Sequence, residues 1–142
     1  MAVIGRLARL HQLIGIELRH TFSTHGLDAA SFDVLATLRR SAPPHRLTPS
    51  ELMRSAMVTS GAITQRLNRL EDRGLVTRAP SQSDGRSYDV ALTNEGRALI
   101  DKALPDHVAT ESRLLAALTE PERGELADRL RHLLESLGDK AS

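Results

Sequence analysis

The chain contains no cysteine and no tryptophan. Without cysteine there can be no disulfide, no thiolate metal site and no cysteine redox switch, which fits a cytoplasmic protein. Aromatic residues make up 2% of the sequence, and Phe22, Phe32 and Tyr88 are the whole set. Single-strand and RNA binding by base stacking depend on aromatic platforms, so both are disfavoured. No apolar run is long enough to cross a bilayer, which argues against a membrane role. The opening MAVIGRLARLHQLIG reads as an amphipathic helix rather than a signal peptide, because Arg9, His11 and Gln12 interrupt any apolar core. The sequence also lacks a glycine-rich phosphate loop after a strand, a nucleophile elbow and a carboxylate pair placed for acid–base work, so no enzyme is expected. Six histidines, at positions 11, 20, 25, 45, 107 and 132, form no i, i+3 or i, i+4 pair with one another, and neither a metal nor another cofactor is expected.

Net charge is only +1, too little for a uniformly basic surface, but it is unevenly spread. Between positions 66 and 86 there are five arginines (Arg66, Arg69, Arg73, Arg78, Arg86) against Glu71, Asp72 and Asp84, whereas the stretch from Asp101 to Glu135 leans acidic. A basic patch on one face is what contact with phosphates requires. At 142 residues and 40% hydrophobic content the chain is long and apolar enough for one folded domain.

The stretch from Thr59 to Arg73, TSGAITQRLNRLEDR, organises the rest. Ile63, Leu67 and Leu70 recur at i, i+4 and i+7 and share one helical stripe. Gly61, Thr64, Gln65, Asn68 and Arg69 lie ~100 to 240° away from Ile63 at roughly 100° per residue. Short hydrogen-bonding side chains on the face opposite an apolar stripe are suited to base edges in a major groove. Taken alone, the pattern also fits an ordinary amphipathic surface helix, and the flanking segments decide between the two.

Upstream, Val3, Leu7, Leu10, Ile14 and Leu18 predict a long first helix ending near His25-Gly26, with Ile4 and Leu13 widening its apolar side toward a second helix. Asp28 is a good N-cap for a helix from Ala29 to Arg40, with Phe32, Leu35, Ala36 and Leu38 inward. Pro43 and Pro44 break it. Thr48-Pro49-Ser50-Glu51 spells a capping box with proline in the first turn, starting a short helix from about Pro49 to Ser55 with Leu52 and Met53 inward. A turn at Ala56-Met57-Val58 leads to Thr59 as the next cap. Two helices joined by so short a turn form a helix-turn-helix. Beyond Gly74 the period changes to two: a strand at Leu75–Arg78, a polar loop turning at Asp84-Gly85, and a returning strand at Tyr88–Leu92. This hairpin is a wing with Arg86 near its tip, placed for a phosphate or a narrow minor groove. Thr93 caps a helix running to about Leu118, in which Pro105 should produce a kink. Thr119-Glu120-Pro121-Glu122 is a second capping box, opening a last helix with Leu126, Leu130, Leu133, Leu134 and Leu137. The terminal helices carry more leucine than a small winged domain can cover, so a homodimer is expected, which would present two reading helices to a palindromic site.

This order of parts, and the words themselves, resemble the MarR family of bacterial transcription regulators. LTPSELMRSAMVTSGAITQRLNRLEDRGLVTRAPSQSDGRSYDVALTNEGRALI is similar to that family's DNA-binding core, including Asp84-Gly85-Arg86 at the wing. The family usually has arginine directly before the wing arginine, where this chain has Gly85. The resemblance spans about residues 28 to 137 and implies a mainly α fold with a small β-hairpin wing. Residues 28–93 would be the winged helix-turn-helix, and 1–27 with 94–142 the helical dimerisation region, all one structural domain. It further implies a dimeric regulator, released from double-stranded DNA by a small ligand. Thr59, Ser60, Gly61, Thr64, Gln65 and Arg69 would meet the major groove or its phosphates, and Arg86 the minor groove. The competing expectation, from a different class, is a protein-interaction module with a winged fold and no DNA binding.

A narrower similarity, in FDVLATLRRSAPP, ITQRLNRL, GLVTRAP and LPDHVAT, is to the urate-responsive branch of the family. The positions matching that branch's anion site are Asp33, Arg66 and Arg78, and its tryptophan has no counterpart. Arg66 lies at about 300° from Ile63, nearer the buried stripe than the groove face. A half-buried arginine needs a carboxylate or an anion. Two readings therefore stand: a structural Asp33–Arg66 salt bridge, or a site for a small anionic effector such as urate or a related carboxylate.

Overall fold

The computed structural model describes residues 2–56, 60–81, 85 and 87–139. Its elements in chain order are α1 (Ala2–Ser23), α2 (Ala29–Arg40), β1 (Arg46–Leu47), α3 (Pro49–Ala56), α4 (Ser60–Asp72), β2 (Val76–Pro80), β3 (Tyr88–Leu92), α5 (Asn94–Leu114) and α6 (Glu120–Ser136). The mainly helical winged helix-turn-helix expected from the sequence is thus present.

The caps predicted at Asp28, Thr48, Thr93 and Thr119 form. Asp28 Oδ1 accepts from Ser31 N at 2.8 Å and starts α2. Thr48 and Glu51 exchange their capping-box bonds at 3.0 and 3.3 Å, as do Thr119 and Glu122. Each satisfies backbone donors that the first turn of a helix leaves unpaired. At the other end of α4, Gly74 takes φ +72°, a conformation that a residue with a Cβ resists, and the chain reverses with Leu75 N bonded to Leu70 O at 2.9 Å. This sharp exit sends β2 back along α4.

β2 and β3 pair antiparallel from Val76↔Leu92 to Pro80↔Tyr88. The sheet has a third strand that the sequence reading missed: β1 pairs with β3 through Arg46↔Ala91 and Leu47↔Val90, giving the order β1-β3-β2. Two residues are too few for any period to register. The first wing strand runs Val76–Pro80 rather than Leu75–Arg78, because Leu75 is occupied in closing α4. The turn at Ala56-Met57-Val58, the Thr59 cap and the turn at Asp84-Gly85 fall on segments that include residues outside those described.

One core lies between α2, the helix pair, the sheet and the first half of α5. Val34, Leu35 and Leu38 of α2, Leu52 of α3, Leu67 and Leu70 of α4, Val90 of β3 and Ile100 of α5 are fully buried. Each such aliphatic side chain contributes about 1.5 to 3 kcal/mol. α5 approaches the wing so closely at Gly96 that a Cβ built there would lie 2.0 Å from Leu75 O. Pro105 sits inside α5 without ending it, and α5 stops at Leu114 rather than near Leu118. Three-residue turns through Ala116 and Leu118 then lead to the Thr119 cap.

The two terminal helices differ from the rest. α1 buries only Thr21 and Phe22, and α6 buries no residue. Val3, Ile4, Leu10, Leu13 and Ile16 on α1, and Leu126, Leu133, Leu134 and Leu137 on α6, remain exposed, Leu137 by 79%.

Candidate nucleic-acid interface

α4 separates its side chains as its spacing requires. Ile63, Leu67 and Leu70 are at most 2% exposed, while Gly61, Thr64, Gln65, Asn68 and Arg69 face solvent. The apolar stripe locks the helix onto α2, α3 and β2, which leaves the polar face as a rigid ridge. A Cβ at Gly61 would meet nothing within 4 Å, so this end of the ridge is open. Thr59 and Arg86 lie outside the described residues, and the side chain of Ser60 is not described.

The arginines of the stretch have separate duties. Arg73 Nη1 donates to Gly26 O at 3.0 Å, tying the end of α4 to the α1–α2 turn. Arg66 is engaged by Asp28 and Arg78 by Asn68. Arg69 has no hydrogen-bond or ion-pair partner among the described residues and stands exposed at the edge of the ridge. An unpaired guanidinium there is available to a phosphate oxygen. Arg54 on α3 and Arg46 on β1 are also exposed and unpaired among the described residues.

The expected Asp33–Arg66 salt bridge does not form. Arg66 Nη1 instead donates to Asp28 Oδ2 at 2.6 Å and to Ser31 Oγ at 3.3 Å. Asp28 is the cap expected for α2, and a cap uses one carboxylate oxygen and leaves the other to a neighbour. Burial pushes the Asp28 carboxyl up, yet the Ser31 backbone and hydroxyl bonds and Arg66 outweigh it and hold its pKa below the ordinary carboxylate value. Asp33 behaves oppositely. Although the residue is exposed, packing around its carboxyl raises its pKa, and Arg40 and His107 only partly offset that. His107 itself stacks on Phe22, with centroids 5.4 Å apart, and tilts against Phe32 at 4.7 Å.

Arg78 is likewise drawn elsewhere. Its Nη2 donates to Asn68 Oδ1. Its Nε lies 3.4 Å from Glu71 Oε2, an ion pair without hydrogen-bond alignment, since that Nε has no hydrogen-bond partner. The guanidinium carbon sits 5.3 Å from the centre of the Tyr88 ring. No hydrogen bond or ion pair joins Asp33, Arg66 and Arg78 to one another among the described residues: Arg66 is held by Asp28 and Ser31, and Arg78 by Asn68 and Glu71. Asparagine carries no pattern signal, and only the register of β2 against α4 brings it to Arg78.

Comparison with known proteins agrees with the geometry. The sequence profile of the MarR family matches residues 25–87. The HTH-type transcriptional regulator PecS of Dickeya dadantii is 40% identical over 126 residues, covering 89% of this chain and 76% of PecS. A mutant MarR from E. coli complexed with operator DNA superposes with a TM-score of 0.83 at 32% identity, over 92% of this chain and 93% of that one. A MarR family protein of Mycobacterium tuberculosis in complex with p-aminosalicylic acid gives a TM-score of 0.69 at 35% identity, over 89% of this chain and 94% of that one.

Proposed function

The chain belongs to the MarR family of transcription regulators and is no enzyme, and from that premise we propose that it acts in the cytoplasm as a homodimeric repressor on a palindromic DNA site. The carrying observation is the exposed ridge of α4 standing on Ile63, Leu67 and Leu70, with α3 before it and the β2–β3 wing after it. In this reading Thr59, Ser60, Gly61, Thr64 and Gln65 meet the major groove, Arg69 a phosphate, and Arg86 the minor groove. The exposed apolar residues of α1 and α6 supply the dimer contact, so that residues 1–27 and 94–142 join two copies and residues 28–93 bind DNA.

The repressor is released by a small anionic or aromatic effector, urate or a related carboxylate. The complex of the mycobacterial relative with p-aminosalicylic acid supports this class of ligand. Arg66 supports it as well, because an incoming carboxylate offers Arg66 the same chemistry as Asp28 does. Exchanging one for the other would loosen α4 from the start of α2 and tilt the ridge, with Asp33 and Arg78 flanking the change.

The test is a gel shift with DNA from upstream of the coding region. Saturable binding at nanomolar protein that survives excess random DNA is expected. Absence of binding even at low salt would favour a protein-interaction module instead. Titrating urate and aromatic carboxylates into the complex, with Arg66→Ala and Asp33→Asn as controls, tests release; unchanged release by both variants would remove these residues from the effector site.

A further inference from the structure

The ridge contains one side chain whose hydrogen-bonding sense the protein itself fixes. Asn68 is exposed and lies roughly 140° around α4 from Ile63, in the middle of the groove-facing surface and one turn beyond Thr64 and Gln65. Its Oδ1 accepts from Arg78 Nη2, and a guanidinium has donors only, so the amide orientation is forced. The Nδ2 group has no partner among the described residues. Flipping the amide would set NH2 against the cation. Moving Arg78 instead is opposed from two sides, by Glu71 Oε2 at 3.4 Å and the Tyr88 ring at 5.3 Å, with the arginine side chain only 22% exposed.

A free asparagine reads adenine with both ends of its amide, accepting from N6 and donating to N7. Here the oxygen is spent on Arg78. A second donor approaching that oxygen would also approach the guanidinium charge, whereas the same charge favours an acceptor near Nδ2. We infer that Arg78 is a positioning residue that makes Asn68 a hydrogen-bond donor to acceptor edges of the major groove, guanine O6 and N7 or thymine O4, in preference to adenine. The inference rests on the DNA-binding role proposed above. It gives Arg78 a part in specificity although it lies on the wing strand behind the helix.

The experiment is a single-base substitution panel of the bound operator, measured with the full chain, its Asn68→Ala, Arg78→Ala and Arg78→Lys variants, and thermal unfolding of each. The wild type should show one base pair per half-site at which guanine or thymine is preferred over adenine by about five- to tenfold. Asn68→Ala, a change at an exposed position, should flatten that preference and leave the other positions as they were. Arg78→Ala frees the carbonyl and should move the preference toward adenine, while Arg78→Lys, which keeps a cationic donor, should retain it. A role in bracing the fold, or a contact from Asn68 to phosphate, would instead lower affinity for every sequence alike, and that unchanged profile would overturn the inference while leaving DNA binding intact. A wild type without sequence-specific binding would overturn both proposals together.

Discussion

Arg66 donates to Asp28 Oδ2 at 2.6 Å while Asp28 Oδ1 caps α2 through Ser31 N at 2.8 Å, so a single carboxylate both starts α2 and holds α4 against it. The ion pair is half exposed at Asp28 and so contributes little by charge alone; most of the effect of losing Asp28 should come from the cap. Asp28→Ala is expected to cost about 1 to 2 kcal/mol and Asp28→Asn, which still caps, distinctly less. Urea denaturation of the two variants checks this order, and equal losses would show that the clamp outweighs the cap.

Asp28 and Asp33 should give stability opposite dependences on pH. Asp28 titrates below the ordinary carboxylate value in the folded state, so its contribution is fully present above that value and is lost as pH falls through its lowered pKa. Asp33 titrates above the ordinary value, so its ionised form carries a penalty that is present above its raised pKa and relieved as the solution is acidified. Asp33→Asn is therefore expected to stabilise the protein at neutral pH, with the gain vanishing in acid, whereas Asp28→Asn should destabilise it at neutral pH with the loss vanishing in acid. Chemical denaturation from pH 3 to 8 would display the two trends, and parallel curves for both variants would contradict the assignment.

Two helical glycines should respond to alanine with opposite signs. A Cβ on Gly96 would meet Leu75 O at 2.0 Å and Leu75 C at 2.9 Å. That backbone is pinned by Thr93 N at 3.1 Å from Leu75 O and by Thr93 Oγ1 at 2.6 Å from Gly74 O, so it cannot retreat. Gly96→Ala should cost about 2 kcal/mol or more, since overpacking exceeds the gain in helix propensity. Gly124 of α6 has nothing within 4 Å of the added carbon, and Gly124→Ala should gain about 0.5 to 1 kcal/mol. Denaturation midpoints decide both signs.

What the sequence made legible follows from the range of each interaction. The caps at Asp28, Thr48, Thr93 and Thr119 involve partners three residues away, and all of them form. The stripe of Ile63, Leu67 and Leu70 is written in one helix and is buried as its period demands. The partners of Arg66 and Arg78 depend on the register between separate elements. Arg66 had two carboxylates of α2 to choose from, and the one at the helix start was nearer. Arg78 met Asn68 through the strand that leaves Gly74, a relation no periodicity encodes.

The groove face and the wing should be separable by salt. Gln65→Ala removes a base-edge contact and should cost about 1 to 3 kcal/mol on the preferred site while sparing non-specific binding. Arg86→Ala removes a phosphate or minor-groove cation and should weaken all sequences and reduce the salt slope by about one unit. Binding isotherms over a range of salt on specific and random duplexes distinguish the two, and identical behaviour of the variants would refute the division of roles.

On α6, Leu126, Leu133 and Leu134 are 38 to 40% exposed although each sits on a regular helix with polar neighbours. Exposed leucines scattered singly would need no explanation, but these recur at helical spacing, and Val3, Ile4, Leu10, Leu13 and Ile16 of α1 are exposed as well. An apolar stripe of this kind is costly in water unless another chain covers it. Leu133→Asp together with Leu134→Asp places two charges on it without disturbing the core, because α6 buries nothing. The doubly substituted chain should sediment as a folded monomer with an unchanged helical spectrum. Its affinity for a two-half-site operator should fall at least a hundredfold, while binding to an isolated half-site, weak in both, should not change. A dimer that survives the substitutions would place the interface elsewhere than α6.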